Sequence, residues 1–232
     1  MIERRQRSLE RALATAPLLH DLPPAVLVEV AAVARRRTYR AGEVICHHGD
    51  PGDALHVLES GRVKVTVYSH AGGGAVLNVL GPGDCFGELA LIDGEPRSAT
   101  VETLEPAETV TLRRVDFLRL LRENEAALEP FLSTLARTIR RLSDAVTDVS
   151  FLSLDERLAK KLLVLAEEHG QEVAGLVEIQ LPISQEELAS MVGATRTSVN
   201  KVLGQFEDEG LITRRGRRIV IRDASRLRRK VP

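Results

Sequence analysis

Between residues 38 and 114 the apolar positions come in short β-branched runs separated by glycine-rich turns. Val63, Val65 and Val67 alternate with Lys64 and Thr66, the period of two expected of a strand with one buried face. Gly42, Gly49, Gly52, Gly61, the run from Gly72 to Gly74, Gly81, Gly83 and Gly94 fall between such runs at hairpin-like intervals. Many short strands so spaced predict a small β-sandwich or jelly roll. No helical pattern is interleaved with them, which disfavours a parallel α/β sheet. A short helical stretch, about residues 23–34, precedes the strands.

At Val115 the period changes to that of a helix, and it holds to about Phe151. Leu132, Leu135, Ile139, Leu142, Val146 and Val149 recur at spacings of 3, 4, 3, 4 and 3, a narrow seam of nearly three heptads. β-Branched residues at a (Ile139, Val146) with leucine at d (Leu135, Leu142) favour two parallel helices. A helix packing only on its own domain would want a broader apolar stripe. The seam ends at Ser153, which with Glu156 forms a capping box. That box predicts a new helix over residues 157–169, a hinge before it, and then a short strand over 177–181.

Ser184 and Glu187 form a second capping box, opening a helix that runs to about Val192. Gly193 supplies a tight turn and Thr195 can cap the next helix. In that helix Val199, Val202, Leu203 and Phe206 share one face, while Arg196, Thr197, Asn200 and Lys201 share the other. Ala189 is small where two helices must cross. A helix buried on one side and carrying hydrogen-bonding side chains on the other suits reading of a DNA major groove. Two further strands, residues 211–213 and 218–221, bracket Arg214, Arg215, Gly216 and Arg217 as a hairpin wing with a cationic tip. The pattern is that of a winged helix-turn-helix.

Charge changes the picture more than composition does. The 232 residues are 44% hydrophobic and 28% charged, an ordinary globular balance that excludes wholesale disorder. The net charge is −1, yet residues 184–232 hold 11 Lys and Arg against 6 Asp and Glu, leaving 21 against 27 for the rest. A basic end on an acidic body implies a polyanionic partner for that end. No apolar run is long enough to span a membrane, and the charged N-terminus does not read as a secretory signal. A cytoplasmic protein without a membrane partner is therefore expected. Cys46 and Cys85 lack paired spacing, so neither a thiolate metal site nor a disulfide is expected.

The richest chemistry lies in residues 83–101. Gly87, Glu88, Leu89 and Ala90 can present a helical turn with free N–H groups, and Arg97 and Ser98 sit between a turn and an apolar strand. A guanidinium fork, a hydroxyl and helix-start amides suit one phosphate. Glu88, acceptor-only when ionised, suits a sugar hydroxyl. The segment GELALIDGEPRSATV resembles the phosphate-binding cassette of the cyclic AMP receptor protein/FNR (CRP/FNR) family of bacterial transcription regulators. ISQEELASMVGATRTSVNKVL resembles that family's helix-turn-helix, and the likeness covers nearly the whole chain.

The resemblance implies an α+β architecture. Residues 1–114 would form an N-terminal helix and a cyclic-nucleotide-binding β-roll, 115–152 the long dimerisation helix and hinge, and 153–232 the winged helix-turn-helix. It implies that Arg97 and Ser98 hold the cyclic phosphate and Glu88 the ribose 2′-hydroxyl. Asn78, Phe86, Gly87, Leu89, Ala90 and Ala99 complete the pocket. Leu142 and Ser143 fall where two hydroxyl residues meet the adenine amino group, and leucine at the first of them leaves the base open between cAMP and cGMP. On the DNA side it implies Ser184, Gln185, Thr195, Arg196, Thr197, Asn200, Lys201 and Arg217, with Arg196 reading guanine and threonine standing at 197 where glutamate is frequent. Double-stranded DNA, a second copy bound through residues 131–150, and RNA polymerase are the implied partners.

Other readings rest on the same residues. A family member that needs no effector would leave Glu88 and Arg97 without a purpose, and a cyclic dinucleotide would need a re-purposed pocket. An N-terminal cysteine cluster is missing, and no spacing singles out a haem ligand among His20, His47, His48, His56, His70 and His169. A cupin-type metalloenzyme would need convergent His, His and carboxylate ligands, but the sequential His47 and His48 would point to opposite strand faces. A regulator without a metal, and not an enzyme, is expected.

Overall fold

The alternating valines near residue 65 form a strand, as their period requires, and it joins seven others in a pair of antiparallel sheets. The computed structural model describes residues 2–16, 19, 22–68, 74–173, 175–181, 184–216 and 218–231. The chain divides into two units, residues 1–140 and 141–232. The first contains α1 (Ile2–Ala14), α2 (Pro24–Val33), β1 (Arg35–Tyr39), β2 (Val44–Cys46), β3 (Ala54–Ser60), β4 (Val63–Tyr68), β5 (Gly74–Leu80), β6 (Cys85–Phe86), α3 (Glu88–Asp93), β7 (Thr100–Thr103), β8 (Ala107–Arg113), α4 (Arg114–Glu123) and the first part of α5 (Glu125–Phe151). One sheet has the order β1-β8-β3-β6 and the other β2-β7-β4-β5. This is the expected jelly-roll layout.

Strand alternation sorts side chains between two cores. Leu55 and Val57 of β3 join Val110 and Leu112 of β8 in a core shared with Leu13, Phe117 and Phe131 of the helices. Phe117 and Phe131 meet edge to face with centroids 5.6 Å apart, an arrangement worth about 0.5–1.5 kcal/mol beyond the area buried. Leu58, Val63, Leu80, Phe86, Val101 and Ala107 form the second core. His56, Thr66, Thr100, Thr103, Thr109 and Thr111 are buried as well. Threonine's branched body packs as valine does; the hydroxyls of Thr100, Thr103 and Thr111 find backbone, whereas Thr66 Oγ1 has no partner among the described residues. Thr103 Oγ1 donates to Arg40 O at 2.5 Å, and Thr111 Oγ1 to Arg35 O at 3.0 Å.

Two local details of the first unit differ from the sequence reading. The helical stretch after residue 114 is two helices, because Asn124 leaves the helix (φ −134°, ψ 97°) and its Nδ2 donates to Leu120 O at 3.2 Å. Asparagine's side chain competes for backbone carbonyls, which suits it to such a break. Helix α1 was not expected, since its dense charge hides the sparse positions Leu9, Ala12 and Leu13 that it buries. No described helix is long and apolar enough to cross a membrane.

The second unit holds the rest of α5, then α6 (Leu154–His169), β9 (Gly170–Val173), β10 (Leu176–Ile179), α7 (Gln185–Met191), α8 (Arg196–Asp208), β11 (Ile212–Arg215), β12 (Arg218–Ile221) and α9 (Ala224–Arg228). Its sheet runs β11-β12-β10-β9. Glu156 accepts from Ser153 N at 2.7 Å, so α6 begins at Leu154, three residues before the expected start. Strand β9 is exposed throughout and carries no apolar alternation; only its pairing with β10 reveals it. Arg157 donates to Leu152 O at 2.7 Å and to Val192 O at 3.0 Å, and Lys160 pairs with Asp148 at 2.7 Å. These bonds tie the end of α5 to α6 and α7.

Candidate functional site

The turn from β6 into α3 is built around Gly87, whose φ of 88° lies in the left-handed region. Arg97 returns to this turn from ten residues on: Nη1 donates to Gly87 O at 3.0 Å, and Nη2 to Ala54 O at 2.6 Å. Arg97 is 5% exposed, and its Nε has no partner among the described residues. A buried cation that donates to the neutral carbonyls of Gly87 and Ala54 is poorly compensated by them, so the arrangement suits an anion. Burial pushes the Glu88 carboxyl above its ordinary value, partly offset by its own backbone N–H and by Arg97.

The remaining predicted pocket residues are distributed around this pair. Phe86 is buried and stacks on His56 with centroids 4.7 Å apart. Ala90 and Ala99 are buried, Leu89 and Ser98 are exposed, and half-buried Asn78 accepts from Val79 N at 2.9 Å. Cys46 and Cys85 are half-buried free thiols, and burial raises the pKa of both, that of Cys85 to about 12. The structure thus brings Gly87, Glu88 and Arg97 together. Leu142 and Ser143 belong to the second unit, where both are exposed on α5.

Along α5 the seam residues Leu132, Ile139, Leu142, Val146 and Val149 are all exposed, each more than half accessible. Leu135 departs from the predicted seam: it is half-buried and packs against the core of its own unit.

In the basic end, Ser184 N donates to Glu187 at 2.9 Å and Glu187 N to Ser184 Oγ at 3.2 Å, closing the predicted box at the start of α7. Gly193 turns with φ 64°, and Thr195 Oγ1 accepts from Ser198 N at 3.2 Å to cap α8. Val199, Val202, Leu203 and Phe206 are buried; Thr195, Arg196, Thr197, Asn200 and Lys201 are exposed, with Ser184 and Gln185 half-buried. The wing is the β11–β12 hairpin, with Arg215 paired opposite Arg218. Arg217 lies outside the described residues.

Residues 36–124 match the family model of a cyclic nucleotide-binding domain, and residues 156–230 that of a Crp-like helix-turn-helix domain. The chain is 31% identical over 222 residues to a CRP-like cAMP-activated global transcriptional regulator of Mycobacterium tuberculosis, covering 96% of this chain and 99% of that one. It is 32% identical over 212 residues to the cyclic AMP receptor protein of Thermus thermophilus, covering 91% and 94%. The chain belongs to the CRP/FNR family. A solved CRP-family regulator of Thermus thermophilus superposes with a TM-score of 0.72 at 29% identity, over 84% of this chain and 95% of that one. FixK2 of Bradyrhizobium japonicum reaches 0.77 at 23% identity, over 86% and 98%, a likeness of fold alone.

As a CRP/FNR member, the protein is a transcription regulator with a cyclic nucleotide-binding domain and a DNA-binding domain. Sequence reasoning missed the parts played by Ala54, His56 and Glu207. Ala54 enters through its carbonyl, for which no side-chain signal exists. His56 enters through its stacking on Phe86. Glu207 enters through its ion pair with Arg214 of the wing, whose Nε and Nη2 both reach Oε2; their opposite charges seven residues apart were the signal available.

Proposed function

We propose that this protein is a homodimeric regulator that responds to a cyclic nucleotide, cAMP first, and binds an inverted-repeat operator. The observation that carries the reading is Arg97, buried beside the left-handed Gly87 turn and Glu88 with an Nε that has no partner among the described residues. In this reading Arg97 and Ser98 hold the cyclic phosphate, Glu88 takes the ribose hydroxyl, and Asn78, Phe86, Gly87, Leu89, Ala90 and Ala99 shape the rest. The cAMP-activated relatives support cAMP as the effector. The exposed apolar seam of α5 supports pairing with a second copy, which would place two α8 helices one helical turn of DNA apart. The functional divisions proposed are 1–114, 115–152 and 153–232, working in the cytoplasm with RNA polymerase.

Leu142 favours a second reading of the base alone: an exposed aliphatic side chain stands where a hydroxyl is expected, so the base is held by packing and by Ser143, or is guanine. Calorimetric titration of the purified dimer with cAMP and with cGMP decides between them. Tighter binding of cAMP supports the first reading and tighter binding of cGMP the second. Binding of neither would favour a regulator that needs no effector. If binding energy is coupled to the hinge, operator affinity should rise at least about tenfold with saturating nucleotide, about 1.4 kcal/mol.

A further inference from the structure

Asn200 sits on the exposed face of α8, five residues into the helix, beside Arg196 and Thr197. An asparagine on a recognition helix ordinarily reads adenine with both ends of its amide: the oxygen accepts from N6 and the nitrogen donates to N7. Here the oxygen is already engaged. Arg214 Nη1, on the first strand of the wing, donates to Asn200 Oδ1 at 2.6 Å. The partner fixes which end of the amide faces it, because a guanidinium has only donors and meets only the oxygen.

Arg214 is itself fixed. Its Nε donates to Glu207 Oε2 at 2.7 Å and its Nη2 lies 2.5 Å from the same oxygen, while its backbone N–H donates to Glu207 Oε1 at 2.8 Å. Asn200 and Glu207 are seven residues apart on α8 and so share one face of the helix. The Arg214 fork therefore spans both and locks the wing to the recognition helix. Hydrogen bonding to Arg214 holds the Glu207 carboxyl below its ordinary value, so this lock stays charged at neutral pH.

We infer that Arg214, held by Glu207, biases Asn200 toward donating: its charged bond takes one of the two lone pairs of the amide oxygen and competes with adenine N6–H for that oxygen, so that Asn200 favours base edges that accept over adenine. Guanine N7 and O6, or thymine O4, are met by the amide NH₂ alone, whereas adenine also needs the oxygen that Arg214 contests. Arg214 and Glu207 are then positioning residues that set specificity without touching a base. The inference rests on the proposed operator function and adds to it the chemistry of one base pair in each half-site.

The test is selection from a randomised double-stranded DNA pool with the full-length protein, with and without cAMP. The wild type should select a symmetric site in which one position, identified because Asn200→Ala relaxes it, prefers guanine or thymine over adenine by about fivefold, the worth of one hydrogen bond. Arg214→Leu should free the carbonyl and move that position toward adenine. Asn200→Asp keeps and strengthens the contact to Arg214 but removes the NH₂, so the preference should vanish while the fold and the flanking positions stay. A side chain that served only to hold the wing would keep the wild-type preference in Asn200→Asp. Wild-type preference in both Arg214→Leu and Asn200→Asp, or adenine in the wild type itself, would overturn the inference and leave the operator function standing. A wild type that selects no symmetric site would overturn both.

Discussion

Arg97 and Gly87 fit one another only because the glycine has no side chain. The guanidinium Nη1 donates to Gly87 O at 3.0 Å, and a Cβ added to Gly87 would lie 1.9 Å from that nitrogen. The turn also holds φ at 88°, a conformation costly for any other residue. The Arg97 guanidinium and the turn beside it are thus one unit, and neither can change without moving the other.

Arg97→Leu should abolish binding of cyclic nucleotide while the protein remains a dimer. It should also lower stability, since Gly87 O and Ala54 O lose their donors at about 1–3 kcal/mol for each one left buried and unpaired. Gly87→Ala should weaken binding at least tenfold by displacing the guanidinium. Calorimetry with sedimentation separates the two effects. Micromolar affinity retained in Arg97→Leu would remove the phosphate assignment.

A charge placed in the α5 seam should separate the copies without unfolding either. Ile139 is 63% and Val146 68% exposed in the protomer, so neither supports its own core. Ile139→Glu with Val146→Glu would set like charges against each other across parallel helices at a positions. Sedimentation should show a folded monomer, and operator binding should fall to that of a single half-site. Leu135→Ala behaves differently: the residue packs against its own core, so its cost appears in the melting temperature. A stable dimer with both glutamates present would overturn the seam.

What could be read from the chain was local. Capping boxes at Ser153 and Ser184, the glycine turn at Gly193 and the apolar face of α8 act within a few residues of one another, and the structure has each of them. What could not be read was made by return of the chain. Ala54 meets Arg97 across 43 residues, and it does so through a carbonyl that every residue possesses. Leu135 fits the heptad as well as Ile139 does, and only the packing of the first unit assigns it inward. Strand β9 is exposed at every position and has no apolar alternation, so its partner strand, and not its own pattern, makes it a strand.

Thr197 is the residue at which this protein's operator should differ from those read by a glutamate. It is exposed at the start of α8 next to Arg196. Arg196 is expected to read guanine bidentately, so its removal should cost roughly 1–3 kcal/mol per half-site at one base pair. Threonine can meet several base edges or a thymine methyl, whereas glutamate accepts from a cytosine amino group. Site selection with Thr197→Glu should therefore sharpen one symmetric position toward cytosine. Identical motifs from wild type and variant would show that residue 197 does not face the bases.

His56 makes the stability of the β-roll depend on acid. Burial first, and then the charges of Arg97 and Arg37, push its pKa down to about 3, so the ring is neutral in the folded protein. It lies against Phe86 at 4.7 Å and within 3.4 Å of Thr109 Oγ1. The unfolded chain takes up a proton at the ordinary value of 6.5, which the folded ring resists until about 3. In that window the unfolded state binds more protons, so stability falls as the pH falls, by up to about 1.4 kcal/mol for each pH unit. Glu88 acts in the opposite sense: its raised pKa contributes stability that is present below its ordinary value of 4.5 and is lost as the pH rises. Comparison within one background cancels it. His56→Phe keeps the stacking partner and removes the titration, so between pH 7 and pH 5 the variant should lose roughly 2 kcal/mol less than the wild type. Urea unfolding at pH 7, 6 and 5 measures the difference. Parallel losses in the two proteins would show that the ring is protonated without cost inside the fold, and that the neutral His56 beside Arg97 is not what the acid sensitivity reports.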